Sequence, residues 1–539
     1  MTDARPALQA LAGLGTADVI GTERAGFEPA VQLLTGHVFS KDAHSTALPP
    51  LQRPAETAID WRPAGRSILD PICRSRKEAA PAMRIMRIPP QTSQVLLAAL
   101  LVSALLVTGW QPAVFAAELM AAARSSIQAE DAKRHVCALA DDALEGREGG
   151  SRGGRAAGSY IISHLEKLGL EPAGDNGSYY QQFGGMRNIL ALARGSDPAV
   201  ANELIVVGAH YDHVGYGNSG NSYGPFGFVH NGADDDASGV AGLIEVAEAM
   251  QHLPGRPRRP ILFAFWDGEE KGLLGSYHFV RVRPALLAQM SIAFSVNLDM
   301  IGRLRGERLE VFGARTSEGL RAAVVQSNNR PGARPLELAF DWAIDEDSDH
   351  YPFIAASIPT LMFHTGLHDQ YHRPSDDVHL INFDGIEPVA RLTLDFVLAL
   401  ANDQGPVRSF RPQARGESDA TKRALEAPAV SPAATQAEES HGKPAGNQRP
   451  RWGIGTRADP GEPANPVIVR ITRGSPAAQG GLMMGDRVLA VDGTAVTNQA
   501  DMVLRLAAAG SRVALDVDRR GRVTRIVMDA MDSMDARQP

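Results

Sequence analysis

The chain has 539 residues, 44% hydrophobic and 22% charged, with a formal net charge of -8 at pH 7. The length accommodates two or three domains of ordinary globular composition, and negative charge without a long basic run argues against a general nucleic-acid binder. Only Cys73 and Cys137 are present, which leaves neither a disulfide framework nor a thiolate zinc site.

Residues 1–82 carry no sustained helical or strand period and are rich in Pro, Arg and Ala. Met83-Arg84-Ile85-Met86-Arg87 then gives a basic start, followed by an apolar run over 95–110 and a small-residue exit at Val114-Phe115-Ala116. This is the layout of a secretory signal peptide, expected over 83–117. The run is short for a membrane span of about 20 residues, so a membrane is engaged only if the segment stays uncleaved. A signal peptide belongs at an N-terminus. Residues 1–82 are therefore expected to be disordered or a spurious upstream extension, with the true start at Met83 or Met86. The expected destination is the periplasm or the medium.

Helical apolar spacing over 123–168 stops at Gly169. The glycine-rich link over 146–158 lacks the Gly-Lys-Ser/Thr ending of a phosphate loop and reads as a turn. Strands are expected over 188–193 and 203–209, the second running into His210-Tyr211-Asp212-His213. A histidine with a carboxylate two residues on can be a metal ligand with its orienting partner, although a lone strand-end histidine is more often structural. Next, Asp234-Asp235-Asp236 precede a helix over 240–250. Such a triplet is either an acidic N-cap or a set of repelling charges that a cation compensates.

Ile261–Trp266 is an apolar run that halts at Asp267-Gly268-Glu269-Glu270. It reads as a buried parallel strand delivering two adjacent carboxylates beyond its carboxyl end, where open α/β sheets place their chemistry. Alone, the same residues could be a solvated acidic turn. Further strands are expected over 293–298, ending at Asp299, over 308–312, and over 359–363, ending at His364 before a histidine-rich loop at 366–377. Strands alternating with helices give an α/β fold. Four strand ends thus bring His210, Glu269 with Glu270, Asp299 and the histidine-rich loop to one edge, and together they define a metal site. Nitrogen and oxygen donors without thiolate suit zinc, with manganese or cobalt as substitutes. The number of donors suits two ions sharing one carboxylate, about 3.5–4 Å apart.

With these blocks in order, residues 123–403 resemble the M28 zinc aminopeptidases, whose relatives include glutamate carboxypeptidases and glutaminyl cyclases. The matching blocks are Gly208-Ala209-His210-Tyr211-Asp212-His213, residues 232–239, 266–276 and 297–302, Ser348-Asp349-His350, and residues 371–376. The resemblance implies a mixed, mainly parallel β-sheet sandwiched by helices over 118–404. It implies two Zn2+ per chain, held by His210, Asp235, Glu270, Asp299 and His372, with Asp235 bridging and the Asp235–Asp236 peptide cis. It further implies Glu269 as general base on a metal-bridging water, Tyr371 as donor to the oxyanion, and Asp212 as partner of His210. Ser348-Asp349-His350 falls near the cleft without an assigned step. His213, His230, His364, His368 and His379 read as contacts outside the ligand set.

The implied activity is that of an exported dinuclear zinc aminopeptidase acting on peptides with a free N-terminus. Three alternatives stand beside it. A glutaminyl cyclase is disfavoured by Tyr371 rather than Trp before His372. A carboxypeptidase would need Arg303 or Arg305 for the substrate carboxylate. A catalytically silent receptor or adaptor would work through the C-terminal module.

Residues 405–449 are rich in Pro, Ala, Glu, Ser and Gln and read as a flexible linker. Residues 450–532 resemble a small α+β PDZ domain of the bacterial secreted type, with a short tail at 533–539. Arg451-Trp452-Gly453-Ile454 matches that family's carboxylate-binding loop, which would capture a peptide C-terminus, with Trp452 as a bulky departure that narrows the pocket. A flexible tether argues against rigid docking of this module on the peptidase.

Overall fold

The computed structural model describes residues 120–429 and 451–530. The expectations for 1–82, for the signal segment 83–117, for the later linker and for the tail lie outside the described residues. Among those described, no helix is long and apolar enough to cross a membrane.

After a helical stretch at 120–126 come α1 (Ala129–Leu139) and α2 (Arg152–Lys167). The glycine-rich stretch expected to be a turn is in its second half the start of α2. Ser151 caps this helix through Gly154 N, and a Cβ on Gly153 would stand 1.8 Å from the Leu144 carbonyl oxygen. Glycine is used there for close approach, not for a phosphate.

The first sheet contains β1 (Glu171–Pro172), β2 (Tyr180–Phe183), β3 (Met186–Ala193), β4 (Glu203–His210), β5 (Ile261–Trp266), β6 (Ser291–Leu298), β7 (Arg308–Phe312), β8 (Glu337–Phe340) and β9 (Thr360–His364). Its order is β1-β3-β5-β4-β6-β9-β7-β8, with β2 beside β3. The central neighbours β5, β4, β6 and β9 run parallel, while β3 and β7 join antiparallel. The sheet is mixed with a parallel centre, as expected.

Strand alternation sorts β5 between two layers. Ile261, Phe263 and Phe265 enter a core shared with α3 (Ala237–Ala249), α5 (Leu320–Asn328) and α7 (Phe383–Ala401). Leu262, Ala264 and Trp266 face a second core with Phe279 of α4 (Leu274–Arg281) and Phe353 of α6 (Tyr351–Ala355). Both faces are covered, which explains why the central strands read as unbroken apolar runs.

The first part of the expected linker is structured. Residues 419–426 form α8 (Asp419–Glu426), whose Lys422 Nζ donates to Phe340 O at 2.6 Å. The second sheet comprises β10 (Ile454–Arg457), β11 (Val467–Ile471), β12 (Arg487–Val491), β13 (Thr494–Ala495), β14 (Arg512–Arg519) and β15 (Arg522–Asp529), all antiparallel. Helices α9 (Pro476–Gln479) and α10 (Gln499–Ala508) complete this smaller unit.

The expectation that a tether opposes docking meets a polar interface instead. Asp459, fully buried, accepts from Arg315 Nη1 at 2.7 Å and from Arg487 Nη1 at 2.5 Å. Arg321 Nε donates to Asp518 at 2.7 Å, and its backbone N–H donates to Glu462 at the same distance. The β14–β15 turn reaches the outer edge of β8, where Leu338 N donates to Arg520 O at 2.9 Å. Gly521, at φ +82°, lies so close to Leu338 that a Cβ would come within 2.3 Å of it. The module caps an edge strand that would otherwise be open to pairing.

Two predictions arise from this packing. Asp459→Ala removes the carboxylate shared by buried Arg315 and Arg487, leaving Arg315 with Glu417 and Arg487 with the more distant Glu426, and lowers the unfolding free energy by about 2–3 kcal/mol; urea unfolding measures this, and an unchanged midpoint would refute it. On α3, burial pushes the Glu245 carboxyl up to about 8 from an ordinary value of 4.5. The folded state then holds a proton that the unfolded state has released, so this group costs stability increasingly as pH rises from about 4.5 to 8. Glu245→Gln should flatten the stability profile across that window; a profile parallel to wild type would contradict the assignment.

Candidate metal centre

Parallel strands end together, and their last residues face one another. His210 closes β4, Glu269 and Glu270 follow β5, Asp299 follows β6, and His372 lies in the loop beyond β9. His210 Nε2 stands 3.2 Å from Asp235 Oδ1 and 3.7 Å from Asp299 Oδ1. His372 Nε2 stands 3.2 Å from Asp235 Oδ2 and 3.1 Å from Glu270 Oε2. The structure therefore gathers the five expected ligand residues, with Asp235 facing both histidines.

The Asp234-Asp235-Asp236 triplet resolves into one buried carboxylate with an unpartnered oxygen and two braces. Asp236 accepts backbone bonds from His210 N, Gly239 N and Met300 N, which occupies its oxygens. Asp234 is held by Gly302 N at 2.7 Å and by Ser238 Oγ. Asp235 Oδ2 has no hydrogen-bond partner. The Asp235–Asp236 peptide is cis. Asp376 completes the frame by accepting the N–H groups of Asp234 and Asp235 at 2.9 and 3.1 Å.

The partner of His210 differs from expectation. Its Nδ1 lies 3.1 Å from the main-chain oxygen of Asp212, whereas the Asp212 carboxylate is 3.9 Å away. That carboxylate instead accepts the backbone N–H of Glu269 at 3.1 Å and holds the turn after β5. Ser348 Oγ donates to Asp299 at 2.5 Å while accepting from Asn297, so Ser348 orients a carboxylate of the centre. Asp349 accepts from Ser276 Oγ, and burial pushes its carboxyl up to about 7.

Electrostatics divides the two glutamates. Burial opposes ionisation of Glu270, but His372 and His213 hold it below its ordinary value. Burial raises Glu269 well above the carboxylate range, and Glu270, Asp349 and Asp299 add to the rise. Among the described residues nothing donates a hydrogen bond to the Glu269 carboxylate. Tyr371 stacks on the His372 ring at 3.9 Å, and burial with the surrounding carboxylates holds its phenol proton well above the ordinary range.

These observations fit divalent zinc. Asp235 Oδ2 and Glu270 Oε1 are buried without hydrogen-bond partners, and the donors gathered around them are imidazole and carboxylate. His230, His364, His368 and His379 make other contacts: His230 meets Ser222 Oγ, His364 faces Glu310, His368 faces Asp234 and His379 lies near Asp377.

One site-building residue escaped the sequence reading. Arg147 is buried beneath the ligand loops and donates to Leu139 O, Tyr211 O, Asn231 O and Gly232 O at 2.6–3.0 Å. The only clue was a charged residue inside a glycine-rich stretch.

The Candidate centre lies within a recognised domain: residues 188–397 match peptidase family M28, and residues 467–519 match a PDZ domain. The peptidase-family match thus precedes the PDZ match along the chain. It is 26% identical over 224 residues to aminopeptidase YwaD of Bacillus subtilis, covering 40% of this chain and 45% of that protein. It is also 26% identical over 235 residues to a glutamate carboxypeptidase 2 homologue of Caenorhabditis elegans, covering 37% of this chain and 28% of the relative. The chain spans less than half the length of each. A solved Legionella pneumophila LapA aminopeptidase structure aligns at 20% identity over 53% of this chain and 75% of that one, with a TM-score of 0.45.

Arg147→Met removes the donor from three loop carbonyls at the site and from the end of α1, and should lower unfolding free energy by about 3 kcal/mol or more. Arg147→Lys should recover only part, because an ammonium cannot reproduce the guanidinium fork. Chemical denaturation of metal-free protein reads both; a lysine variant as stable as wild type would contradict the clamp.

Proposed function

We propose that this chain is an exported zinc aminopeptidase that removes N-terminal residues from peptides. The observation that carries the reading is the division between two adjacent glutamates: Glu270 is turned to the histidines, while the Glu269 carboxylate accepts no bond from the described residues. His210, Asp299 and Asp235 would hold one Zn2+, and His372, Glu270 and Asp235 a second. Bound zinc supplies positive charge that polarises a scissile carbonyl and acidifies water.

The protein's own groups do the rest. With the surrounding negative charge balanced, Glu269 would be ionised, and its carboxylate would take the proton from the attacking water. It then delivers that proton to the leaving amine. Tyr371, which keeps its proton, donates O–H to the developing oxyanion. The surplus of carboxylates suits a substrate with a protonated N-terminus.

The carboxypeptidase alternative is less well supported. Arg303 is engaged with Leu380 O and Gln370 Oε1, and Arg305 with the carbonyls of Thr365, Gly366 and Leu367. Both guanidinium groups are thus already bound in part to oxygens of this chain, although Arg303 Nε has no hydrogen-bond partner. In the PDZ unit, Trp452 is buried with its Nε1 donating to Leu506 O at 2.8 Å, which places the indole between the expected carboxylate loop and α10. Capture of a C-terminal peptide by Arg451, Gly453 and Ile454 is part of the proposal, as is export through the segment 83–117.

Glu269→Gln should lower kcat for release of N-terminal residues by about 10²–10⁴-fold while both zinc ions remain bound. Tyr371→Phe should lower it by about 10²–10³-fold. A peptide panel with metal content measured alongside tests this. Full activity in Glu269→Gln would sink the general-base assignment, and cyclised product in place of released residues would favour the cyclase.

A further inference from the structure

We propose that His213 is a third imidazole ligand of the centre, binding the ion held by Glu270, His372 and Asp235. The inference rests on the two-zinc reading above and goes beyond its five-residue ligand set.

His213 is wholly buried, and neither ring nitrogen has a hydrogen-bond partner. An imidazole in that condition forfeits hydration without return unless something else meets it. Its Nδ1 lies 2.7 Å from Glu270 Oε1 and 3.7 Å from Asp235 Oδ2. Those two oxygens are themselves buried without hydrogen-bond partners. The 2.7 Å approach is close enough for a hydrogen bond but lacks the alignment of one. Close, misaligned donor atoms are what two ligands of one ion present, since metal–ligand bonds of about 2.0–2.2 Å at near-tetrahedral or square angles separate them by about 3 Å.

The position of the ring is built rather than incidental. His213 N donates to Arg147 O at 3.2 Å, which fixes the backbone three residues beyond His210. The ring then lies against Gly232, where a Cβ would stand 2.6 Å from the ring carbons. Gly232 has φ +54° and leads into the loop of Asp235, so the glycine both turns the chain and admits the imidazole. His213 and His372 meet edge to face at 5.7 Å between ring centres, on either side of Glu270.

The two metal positions become unequal. One would have His213, His372, Glu270 and the shared Asp235; the other would have His210, Asp299 and the shared Asp235. The first holds its ion more firmly, and the second keeps more room for substrate.

The test is zinc X-ray absorption on the full chain, with metal content followed by mass spectrometry during chelator titration. Wild type should show three imidazoles per two zinc ions and lose its metals in two separated steps. His213→Ala should show two imidazoles, with the tighter step weakened more than about tenfold. His213→Asn, which can still donate to Glu270, should resemble His213→Ala in imidazole count. Wild type with two zinc ions but only two imidazoles would overturn this inference alone, leaving His213 as a brace on Glu270. Wild type that takes up no zinc would overturn the metal reading and this inference together. The wild-type count decides the matter even if a variant fails to fold.

Discussion

Asp212, Asp235, Asp299, Glu269 and Glu270 are crowded into the end of one sheet, where they lose hydration and repel one another. The surrounding structure is arranged to hold that charge. Backbone N–H groups converge on Asp236, Asp376 and Asp212, and Ser348 meets Asp299. Arg147 gathers the carbonyls of the same loops from below. On the proposed reading, the unpartnered oxygens of Asp235 and Glu270 are what a cation would meet.

The same logic recurs at the second domain. Arg315, Arg487 and Asp459 are buried together, and the edge of β8 is closed by the β14–β15 turn. Buried ion pairs are weak evidence for net stability but strong determinants of orientation, because a partner left unmatched is costly. The PDZ unit is therefore held at one attitude against the peptidase rather than loosely adjoining it.

Much of the peptidase domain was readable because its central strands are short, apolar and stopped abruptly by acids. Ile261–Trp266 begins and ends where its pattern does. Three of the candidate ligand residues were legible for the same reason, His210 closing β4 and Glu270 and Asp299 following β5 and β6, whereas Asp235 and His372 lie in loops and came only with the family resemblance. What was not legible depends on distant partners. Strand β8 has four residues and takes its outer bond from Arg520, far along the chain. Helix α8 has a polar composition that reads as linker, yet Phe340 O and the Arg457 guanidinium fix it. Arg147 has no local pattern, and the orienting carbonyl of Asp212 is invisible to any reading of side chains.

His210 and Asp376 stand near opposite ends of the domain's chain, and the second clasps the backbone of the Asp234–Asp235 turn that faces the first. Until the chain has been made through Asp376 and packed, those carboxylates have no frame, and long-range closure of this kind comes late in folding. Incomplete copies would thus present scattered donors rather than a chelating cage. On the proposed chemistry the finished fold acts as its own licence: a peptidase under synthesis cannot be armed before the last loop is in place.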